Sequence, residues 1–409
     1  MDELLTKKFS AQADALSAFK KCFMPTMKFK KKHIKLALLP FMLALVTQVA
    51  WADTPKNTLK TPTPMALSSA PIDIDARLKT LSAEMKVPLS DLNAAKLEAK
   101  KIDSILKTMD RPWEAKPWYK YWPIFIIPKR IDAGVEFWQQ NDAALKEAFR
   151  VYGVPPEIVL AIIGVETFYG KNMGSFRVLD ALYTLGFYYP KRADYFSREF
   201  VNYVRLATRE GWAYGEVKGS YAGAMGMGQF MPWSYLSWAI DFNHNGHINL
   251  FKENEDVIGS VANYFKEHGW DRNAHSVYKM HLTPEQEAIV DTFLTDGLEL
   301  KIKVQDLRKA GLKIPVYYTN DEPCKVIKLE EEQGFTYYLG FQNFKAITGY
   351  NRSPLYAMTV YLLSREIRFA HDKTIPGPKV KSKVIRKQTK SAKTGLLTYK
   401  LKRQLYLKF

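Results

Sequence analysis

The feature that most constrains this chain is an apolar segment, residues 154–170, with Glu166 near its end. Two prolines open the segment and a glycine closes it, so it predicts a helix. Glu166 lies four residues after Ile162, which places its carboxyl on the apolar face. Burial raises the pKa of a carboxyl, and a carboxyl that is protonated near neutral pH can act as a general acid. From this pattern alone, Glu166 is either a catalytic acid or a buried carboxylate held by an arginine or by backbone amides.

Aromatic and glycine-rich segments flank this helix. Residues 110–122 are dense in Trp and Tyr, a composition that suits stacking on sugar rings and equally suits a packed corner. Residues 218–232 are rich in glycine, which lets a backbone approach a ligand closely. Their spacing matches no phosphate-binding or dinucleotide-binding pattern, which argues against nucleotide binding. Ser220 and Gln229 are either hydrogen-bonding partners of a ligand or ordinary loop and cap residues.

Residues 241–249 match the first two-thirds of a calcium-binding loop. Side chains with oxygen atoms occupy positions 1, 3 and 5, a glycine follows at position 6, and position 7 supplies a backbone carbonyl. Lys252 replaces the usual closing Glu, so a later carboxylate has to complete the site, with Asp256 favoured over Glu253 and Glu255. The predicted ligands are Asp241, Asn243, Asn245, His247 and Asp256. The alternative is an Asx-rich turn that binds no ion.

The charge of the chain is concentrated at its two ends. The 409 residues include 60 Lys and Arg and 42 Asp and Glu, a net charge of +18. Residues 1–52 account for +6 and residues 373–409 for +12, so residues 53–372 carry no net charge. A neutral body argues against a nucleic-acid partner. The basic C-terminal tail, residues 373–409, is predicted to be disordered, with at most weak contact to anionic surfaces.

The N-terminal segment has the order of an export signal. Lysines precede a short apolar run and a small-x-small cleavage site that ends at Ala52. Residues 1–52 therefore predict a signal peptide, cleaved near Ala52 after Sec-type export to the periplasm. Translation from Met27 would make this signal standard, and residues 1–26 would then be an extension. The alternative is an uncleaved membrane anchor. Residues 53–72 have the composition of a linker.

The body predicts a mostly α fold of the α+β class. Helical periodicity at 73–150 indicates a helical lobe, and residues 151–270 are expected to form a core that includes the calcium-type loop. Residues 271–345 become strand-like and indicate a small β-containing lobe, after which residues 346–372 return to helix. The strand-like segments are 298–304, 314–318, 324–329 and 335–340.

Together these motifs resemble the family 3 (B-type) peptidoglycan lytic transglycosylases. The motifs that carry the resemblance are residues 163–167, 219–232, 241–250, 259–265 and 350–351. They occur in the family's order with similar spacing, and the resemblance covers about residues 112–270 and 345–366. It implies a lysozyme-like core with an additional helical lobe and a small inserted β lobe.

The resemblance also implies a reaction and its participants. The enzyme would cleave the β-1,4 bond between N-acetylmuramic acid (MurNAc) and N-acetylglucosamine (GlcNAc). The muramyl 6-hydroxyl would act as nucleophile and leave a 1,6-anhydromuramyl end. Glu166 matches the single catalytic acid, which acts first as acid and then as base, and no cofactor is required. Glycan strands of peptidoglycan would be the substrate, and other cell-wall enzymes are candidate partners.

Further residues match positions that line the glycan site in this family. They are Tyr121, Lys191, Arg192, Tyr195, Ser220, Met225, Gln229, Phe230, Tyr264, Tyr350 and Asn351. The calcium-type loop also matches a family feature, which implies a structural Ca²⁺. Three other functions stay open at this point. They are a water-using muramidase of the same fold, a non-catalytic wall-binding protein, and a calcium-regulated binding module.

Overall fold

The computed structural model describes residues 72–110 and 116–374. The predicted signal peptide and almost all of the predicted linker and basic tail lie outside the described residues. The α-helices, in chain order, are α1 (Ile74–Met85), α2 (Leu89–Glu98), α3 (Asp103–Met109), α4 (Trp118–Tyr121), α5 (Pro128–Gln140), α6 (Asp142–Tyr152), α7 (Pro156–Thr167), α8 (Val178–Tyr188), α9 (Ala193–Glu210), α10 (Pro232–Trp238), α11 (Asn254–Glu267), α12 (Pro284–Asp291), α13 (Val304–Lys309), α14 (Gln342–Tyr350) and α15 (Pro354–Thr374).

Helix α7 lies at the centre of the main core. Every residue from Ile158 to Thr167 is buried, because the helix is apolar on all sides rather than along one stripe. It packs against α15 and α5, so the C-terminal helix of the described chain returns to the middle of the molecule. Within the described ranges, no single helix is long and apolar enough to cross a membrane, and one bent pair, α6 with α7, passes that test by length and composition only.

The N-terminal helices pack on α8 and α9. The buried carboxylate of Asp180 accepts a hydrogen bond of 2.9 Å from the backbone N–H of Lys100, and Thr184 accepts one of the same length from Ile102. Arg77 of α1 forms an ion pair with Asp194 of α9. One continuous apolar core therefore includes residues of α1 to α3 as well as α7, α9 and α15.

A second, smaller core belongs to a four-stranded antiparallel sheet. Two further strands pair with each other near the end of α7. The strands are β1 (Phe176–Arg177), β2 (Lys218–Gly219), β3 (Val277–Lys279), β4 (Ile302–Lys303), β5 (Pro323–Glu330) and β6 (Phe335–Gly340). The order in the larger sheet is β3, β6, β5, β4. Its buried side chains include Val326 of β5 and Leu339 of β6, which face Val290 and Leu307 of the flanking helices.

The predicted strands are only partly right. The segments at 324–329 and 335–340 are strands, whereas residues 314–318 are not and residues 298–304 contain only β4. The guanidinium of Arg308 donates hydrogen bonds to the carbonyls of residues 314, 315 and 318, so this segment's carbonyls are taken by a side chain. After β4 the chain turns into α13, where Asp306 accepts a hydrogen bond from the Lys303 N–H.

The end of α7 joins the glycine-rich segment of residues 218–232. Phe168, Tyr169 and Gly170 all have positive φ, which reverses the chain after Thr167. The Thr167 hydroxyl then donates a hydrogen bond of 2.8 Å to the carbonyl of Met227 in the glycine-rich segment. The last turn of α7 and this segment are therefore held in one fixed arrangement.

Gly174, in the loop after α7, packs closely against the backbone of Gly219 in the glycine-rich segment. Its φ is +109°, and a Cβ there would lie 1.9 Å from the carbonyl carbon and oxygen of Gly219. We expect Gly174→Ala to lower the free energy of unfolding by about 3 kcal/mol or more, because strain and a backbone clash add. Gly211→Ala is the control. Its φ is +70°, and no atom of the described chain lies within 4 Å of the added Cβ. It should cost about 1 kcal/mol. If denaturant unfolding showed the same loss of stability for Gly174→Ala and Gly211→Ala, the predicted clash with Gly219 would be wrong.

Candidate active site

Glu166 lies on the buried last turn of α7 and faces α15. Its side chain is only 6% exposed, and the hydroxyl of Tyr356 on α15 donates a hydrogen bond of 2.5 Å to its Oε1. Burial raises the pKa of Glu166 to about 7, and the Tyr356 hydrogen bond opposes that rise. The carboxyl is therefore extensively protonated near neutral pH, which is the state that a general acid requires.

An aromatic cluster adjoins this carboxyl and consists of Phe230, Tyr264, Tyr350 and Tyr356. The ring of Tyr350 lies 4.8 Å from that of Tyr264 and 6.1 Å from that of Phe230, measured between centroids. Burial is the main cause of the raised pKa of Tyr356, and the nearby Glu166, Tyr350 and Tyr121 raise it further. The structure thus brings Tyr121, Phe230, Tyr264 and Tyr350, predicted from scattered motifs, into the neighbourhood of Glu166.

The glycine-rich segment supplies the adjoining backbone. Met225 pairs with Phe230 across a tight bridge, and the Ser220 hydroxyl accepts hydrogen bonds from backbone N–H groups of residues 222 and 224. Gln229 has a φ of +52°, and its side-chain amide donates to the carbonyls of Met173 and Gly226. The Tyr350 hydroxyl donates a hydrogen bond of 2.6 Å to the carbonyl of residue 228. These contacts fix the segment against the aromatic cluster, and the ligand-binding roles of Ser220, Met225 and Gln229 stay predictions.

Asn351 follows the aromatic cluster at the end of α14. It is fully buried, and neither its side-chain oxygen nor its side-chain nitrogen has a hydrogen-bond partner within the described residues. An unpaired buried amide costs about 1–3 kcal/mol, so such groups usually serve a ligand or an ordered water. This observation favours the predicted contact between Asn351 and substrate.

The two residues of the predicted basic pair, Lys191 and Arg192, have different surroundings. The guanidinium of Arg192 lies 4.6 Å from the centre of the Tyr195 ring, and Tyr264 is close enough to Tyr195 to affect its pKa. Arg192 and Tyr195 therefore extend the aromatic cluster. Lys191 is exposed and pairs instead with Asp110, at 3.3 Å. Its predicted role in binding glycan gains no support from this placement.

Glu199 is a buried carboxylate that the sequence analysis missed. It is 4% exposed, and its Oε2 accepts a hydrogen bond of 2.9 Å from the backbone N–H of Trp233 at the start of α10. Burial raises the pKa of Glu199 to about 7. It follows Phe196 by three residues on the apolar face of α9, so the reasoning applied to Glu166 would also have identified it.

Glu199 does not act as an electrostatic partner of Glu166. The pKa of Glu166 responds to burial and to Tyr356, and no other described carboxylate is among the groups that shift it. Two carboxylates as close as those of a retaining glycosidase, roughly 5 Å, would shift each other's pKa strongly. Asp180 and Asp194 are also engaged elsewhere, with backbone and arginine partners. Among the described residues, no second carboxylate therefore shifts the pKa of Glu166.

Two carboxylates contact the calcium-type loop, Glu253 through its side chains and Asp256 through its backbone. The side-chain amides of Asn243 and Asn245 both contact Oε2 of Glu253, at 2.6 and 2.7 Å. The side-chain oxygens of Asp241 and Asn243 both accept from the backbone N–H of Asn245. His247 contacts the other oxygen of Glu253 at 3.2 Å. The amide nitrogens of Asn243 and Asn245 thus face Glu253, while the oxygens of Asp241 and Asn243 meet at one backbone N–H. The loop carries carboxylate, amide and carbonyl oxygens, which are the ligand types that calcium prefers.

Asp256 is placed differently from its predicted role as the closing ligand. It is fully buried, and its two oxygens accept 2.8 Å hydrogen bonds from the backbone N–H groups of Phe242 and Asn249. These bonds tie the two ends of the loop to α11. Glu253, which the sequence analysis ranked lower, is the carboxylate that faces Asn243 and Asn245.

The Glu166–Tyr356 contact generates a testable expectation. Tyr356→Phe removes a donor that favours the ionised carboxylate, so the pKa of Glu166 should rise above about 7 by up to roughly one unit. Carboxyl ¹³C chemical shifts followed against pH measure it directly. Tyr361→Phe on the same helix is the control, because that hydroxyl contacts the carbonyl of Val277. A Glu166 titration that is unchanged in Tyr356→Phe would contradict this assignment.

The chain is similar to known proteins over most of its length. A family model described as "Transglycosylase SLT domain" matches residues 74–365. Membrane-bound lytic murein transglycosylase B of Escherichia coli (strain K12) is 42% identical over 287 residues, which cover 67% of this chain and 76% of that protein.

Two solved structures are similar along most of the chain. Soluble lytic transglycosylase SltB1 from Pseudomonas aeruginosa is 39% identical, with a TM-score of 0.68, over 74% of this chain and all of that one. The Escherichia coli lytic transglycosylase Slt35, in complex with calcium, is 39% identical, with a TM-score of 0.65, over 73% of this chain and 93% of that one. The mostly α fold class predicted from the sequence is confirmed. The chain belongs to the SLT-domain family of lytic transglycosylases.

Proposed function

We propose that this protein cleaves the β-1,4 bond between MurNAc and GlcNAc in peptidoglycan and leaves 1,6-anhydromuramyl ends. The environment of Glu166 is the observation on which this proposal rests. It is a buried carboxyl with a pKa near 7 that accepts a hydrogen bond from Tyr356, and no other carboxylate of the described residues shifts its pKa. Such an environment suits a general acid that acts without a second catalytic carboxylate.

The reaction balances with this one residue. Protonated Glu166 donates its proton to the glycosidic oxygen as the bond from that oxygen to the muramyl C1 breaks, and GlcNAc leaves with a hydroxyl. The muramyl 6-oxygen forms a bond to C1, and the Glu166 carboxylate accepts the proton released from that hydroxyl. The acid is regenerated and no water is consumed. Because the first step needs the protonated form, its rate falls as pH rises through about 7.

The choice of nucleophile explains why one carboxylate is sufficient. A retaining glycosidase needs a second carboxylate to attack the sugar, and an inverting one needs a second carboxylate to activate water. Here the nucleophile belongs to the substrate, so the protein has to hold the muramyl ring with its 6-hydroxyl over C1. The aromatic cluster supports this proposal, because Tyr and Phe faces suit sugar rings and the unpaired amide of Asn351 can bind a polar substituent.

We also propose that the loop at 241–253 holds a structural Ca²⁺. The residues that would bind it are Asp241, Asn243, Asn245, the carbonyl of His247, and Glu253 in place of Asp256. Calcium would supply no chemistry to the reaction. It would fix the loop ahead of α11, which carries Tyr264 of the aromatic cluster.

We further propose that the protein is exported. The segment at 1–52 would direct the chain to the periplasm, where peptidoglycan lies, and residues 74–365 would act there. Whether the chain stays attached to the membrane depends on cleavage near Ala52. The N-terminal sequence of the protein purified from a periplasmic extract distinguishes the two forms.

Product analysis tests the reaction. The wild-type protein should release muropeptides with 1,6-anhydromuramyl ends from purified sacculi, detected by mass spectrometry. Glu166→Gln should lower the rate by at least about a thousandfold, because the amide cannot donate the proton. Glu136→Gln, an exposed residue on α5, should keep the wild-type rate. Reducing MurNAc ends would identify a water-using muramidase. Binding without any cleavage by the wild type would identify a wall-binding protein.

Calcium titration tests the loop. At calcium about 100 times above Kd, the wild-type Tm should rise by about 5 °C relative to the protein in chelator. Glu253→Gln should lose most of that rise, since it removes a charged ligand. Asp256→Asn should lower Tm even in chelator, because one loop amide loses its acceptor at a cost of about 2 kcal/mol. A full calcium shift in Glu253→Gln, measured by calorimetry, would exclude Glu253 as a ligand.

A further inference from the structure

Glu199 is a buried carboxylate that the proposed reaction does not use. On α9, Tyr195 lies four residues before it and Asn202 three residues after it, so the three side chains share one face of the helix. The hydroxyl of Tyr195 and the side-chain oxygen of Asn202 are both buried, and neither has a hydrogen-bond partner within residues 72–110 and 116–374. Burying so many polar groups is costly, which indicates a purpose beyond packing.

Glu199 joins α9 to the end of the glycine-rich segment. Its Oε2 accepts a 2.9 Å hydrogen bond from the backbone N–H of Trp233, the first residue after that segment. Phe230, three residues earlier in the chain, packs against Tyr264 with 5.7 Å between ring centroids. The carboxylate therefore helps to fix where this part of the aromatic cluster lies relative to α9.

The same carboxylate acts on Arg192 and Tyr195, which the sequence analysis predicted to line the glycan site. The guanidinium of Arg192 lies 4.6 Å from the centre of the Tyr195 ring and 5.0 Å from that of Phe196. Burial lowers the pKa of Arg192, and the negative charge of Glu199 is among the influences that oppose this shift. Glu199 also raises the pKa of Tyr195. Among the described carboxylates, Glu199 is the one that acts on both residues.

The charge of Glu199 decides how firmly these two residues are held. Burial raises the pKa of Glu199 to about 7. Four groups oppose that rise because they favour the ionised form, namely the Trp233 N–H, Asn202, Arg192 and Tyr195. Of these groups, Arg192 is charged, Tyr195 is titratable, and α10 contributes only a backbone N–H. A protonated Glu199 still accepts from that N–H, but it no longer attracts the guanidinium. The attraction is therefore lost as pH falls through about 7.

We propose that Glu199 is a positioning residue for glycan binding, which holds Arg192 and Tyr195 in a fixed place relative to the glycine-rich segment. It acts through these two residues and takes no part in the proton transfers of Glu166. The inference rests on the proposed function, because Arg192 and Tyr195 bind glycan only if peptidoglycan is the substrate. A glycan strand then meets α9 and the aromatic cluster at the correct spacing when Glu199 is ionised.

Binding of a peptide-free glycan separates this effect from catalysis. The Glu166→Gln variant cannot donate the proton and has no titrating carboxyl at that position. The tetrasaccharide (GlcNAc–MurNAc)2 is titrated into this full-length variant by calorimetry at about pH 6 and about pH 8. The ionised fraction of Glu199 rises from about one tenth to about nine tenths over this range, so the affinity should rise about tenfold. Glu166→Gln/Glu199→Gln should bind about tenfold more weakly at the higher pH and show no such rise.

Two further variants identify the route of the effect. Arg192→Gln, in the same Glu166→Gln background, should weaken binding by itself. Adding Glu199→Gln to it should cause much less further loss than Glu199→Gln causes alone, because Glu199 acts through Arg192. Glu84→Gln is the matched control. It removes an exposed carboxylate that pairs with Arg198 of α9, and it should leave the affinity and its pH dependence unchanged.

Several outcomes would overturn the inference. One is equal affinity of Glu166→Gln and Glu166→Gln/Glu199→Gln at about pH 8. Another is a loss of the same size at both pH values, which would mean that Glu199 only supports the fold. If Glu199→Gln fails to fold, the Glu166→Gln variant alone still decides, since an affinity that is constant with pH, or absent at both values, contradicts the inference. A wild type that shows the pH-dependent binding and yields no anhydromuramyl ends would instead contradict the proposed reaction.

Discussion

The site depends on one contact between two distant segments of the chain, the hydrogen bond from Tyr356 to Glu166. The two residues are 190 positions apart in sequence, and both are buried. A pKa raised from 4.5 to about 7 corresponds to about 3 kcal/mol against the ionised carboxylate. Helix α7 tolerates that penalty because it is surrounded by apolar contacts with α5 and α15. The helix at the centre of the main core therefore also carries the proposed acid.

The small β lobe lies in the chain between the calcium-type loop and the two helices that complete the site. The four-stranded sheet has its own core, and the chain that leaves it enters α14 and α15, which complete the aromatic cluster. Tyr350 at the end of α14 and Tyr356 on α15 reach Glu166 only after this excursion. The last strand, β6, ends at Gly340 and leads directly into α14, and the sheet supplies no residue to the aromatic cluster.

Features that depend on local sequence pattern, such as most helices, could be predicted from the sequence. Features that depend on tertiary contacts could not. Glu166 was identifiable because its spacing from Ile162 follows helical geometry. Tyr356 was not identified, since a tyrosine on an apolar helix gives no sign of which carboxyl it meets. The strand expected at 314–318 failed because Arg308, which lies outside it in sequence, takes its carbonyls. Asp256 was preferred over Glu253 as the closing ligand, and the sequence does not reveal that each Asp256 oxygen accepts a hydrogen bond from a backbone amide. Which of the two carboxylates closes the loop around an ion stays a prediction.

With a single acid, as proposed for Glu166, catalysis depends mainly on how the substrate is positioned. When the nucleophile belongs to the substrate, the protein gains rate by holding two parts of one sugar in the reactive geometry, an effect that orientation alone can make large. That requirement accounts for the rigidity around Glu166. Thr167 ties the helix end to Met227, Gln229 ties that segment to Met173, and Tyr350 ties it to the aromatic cluster.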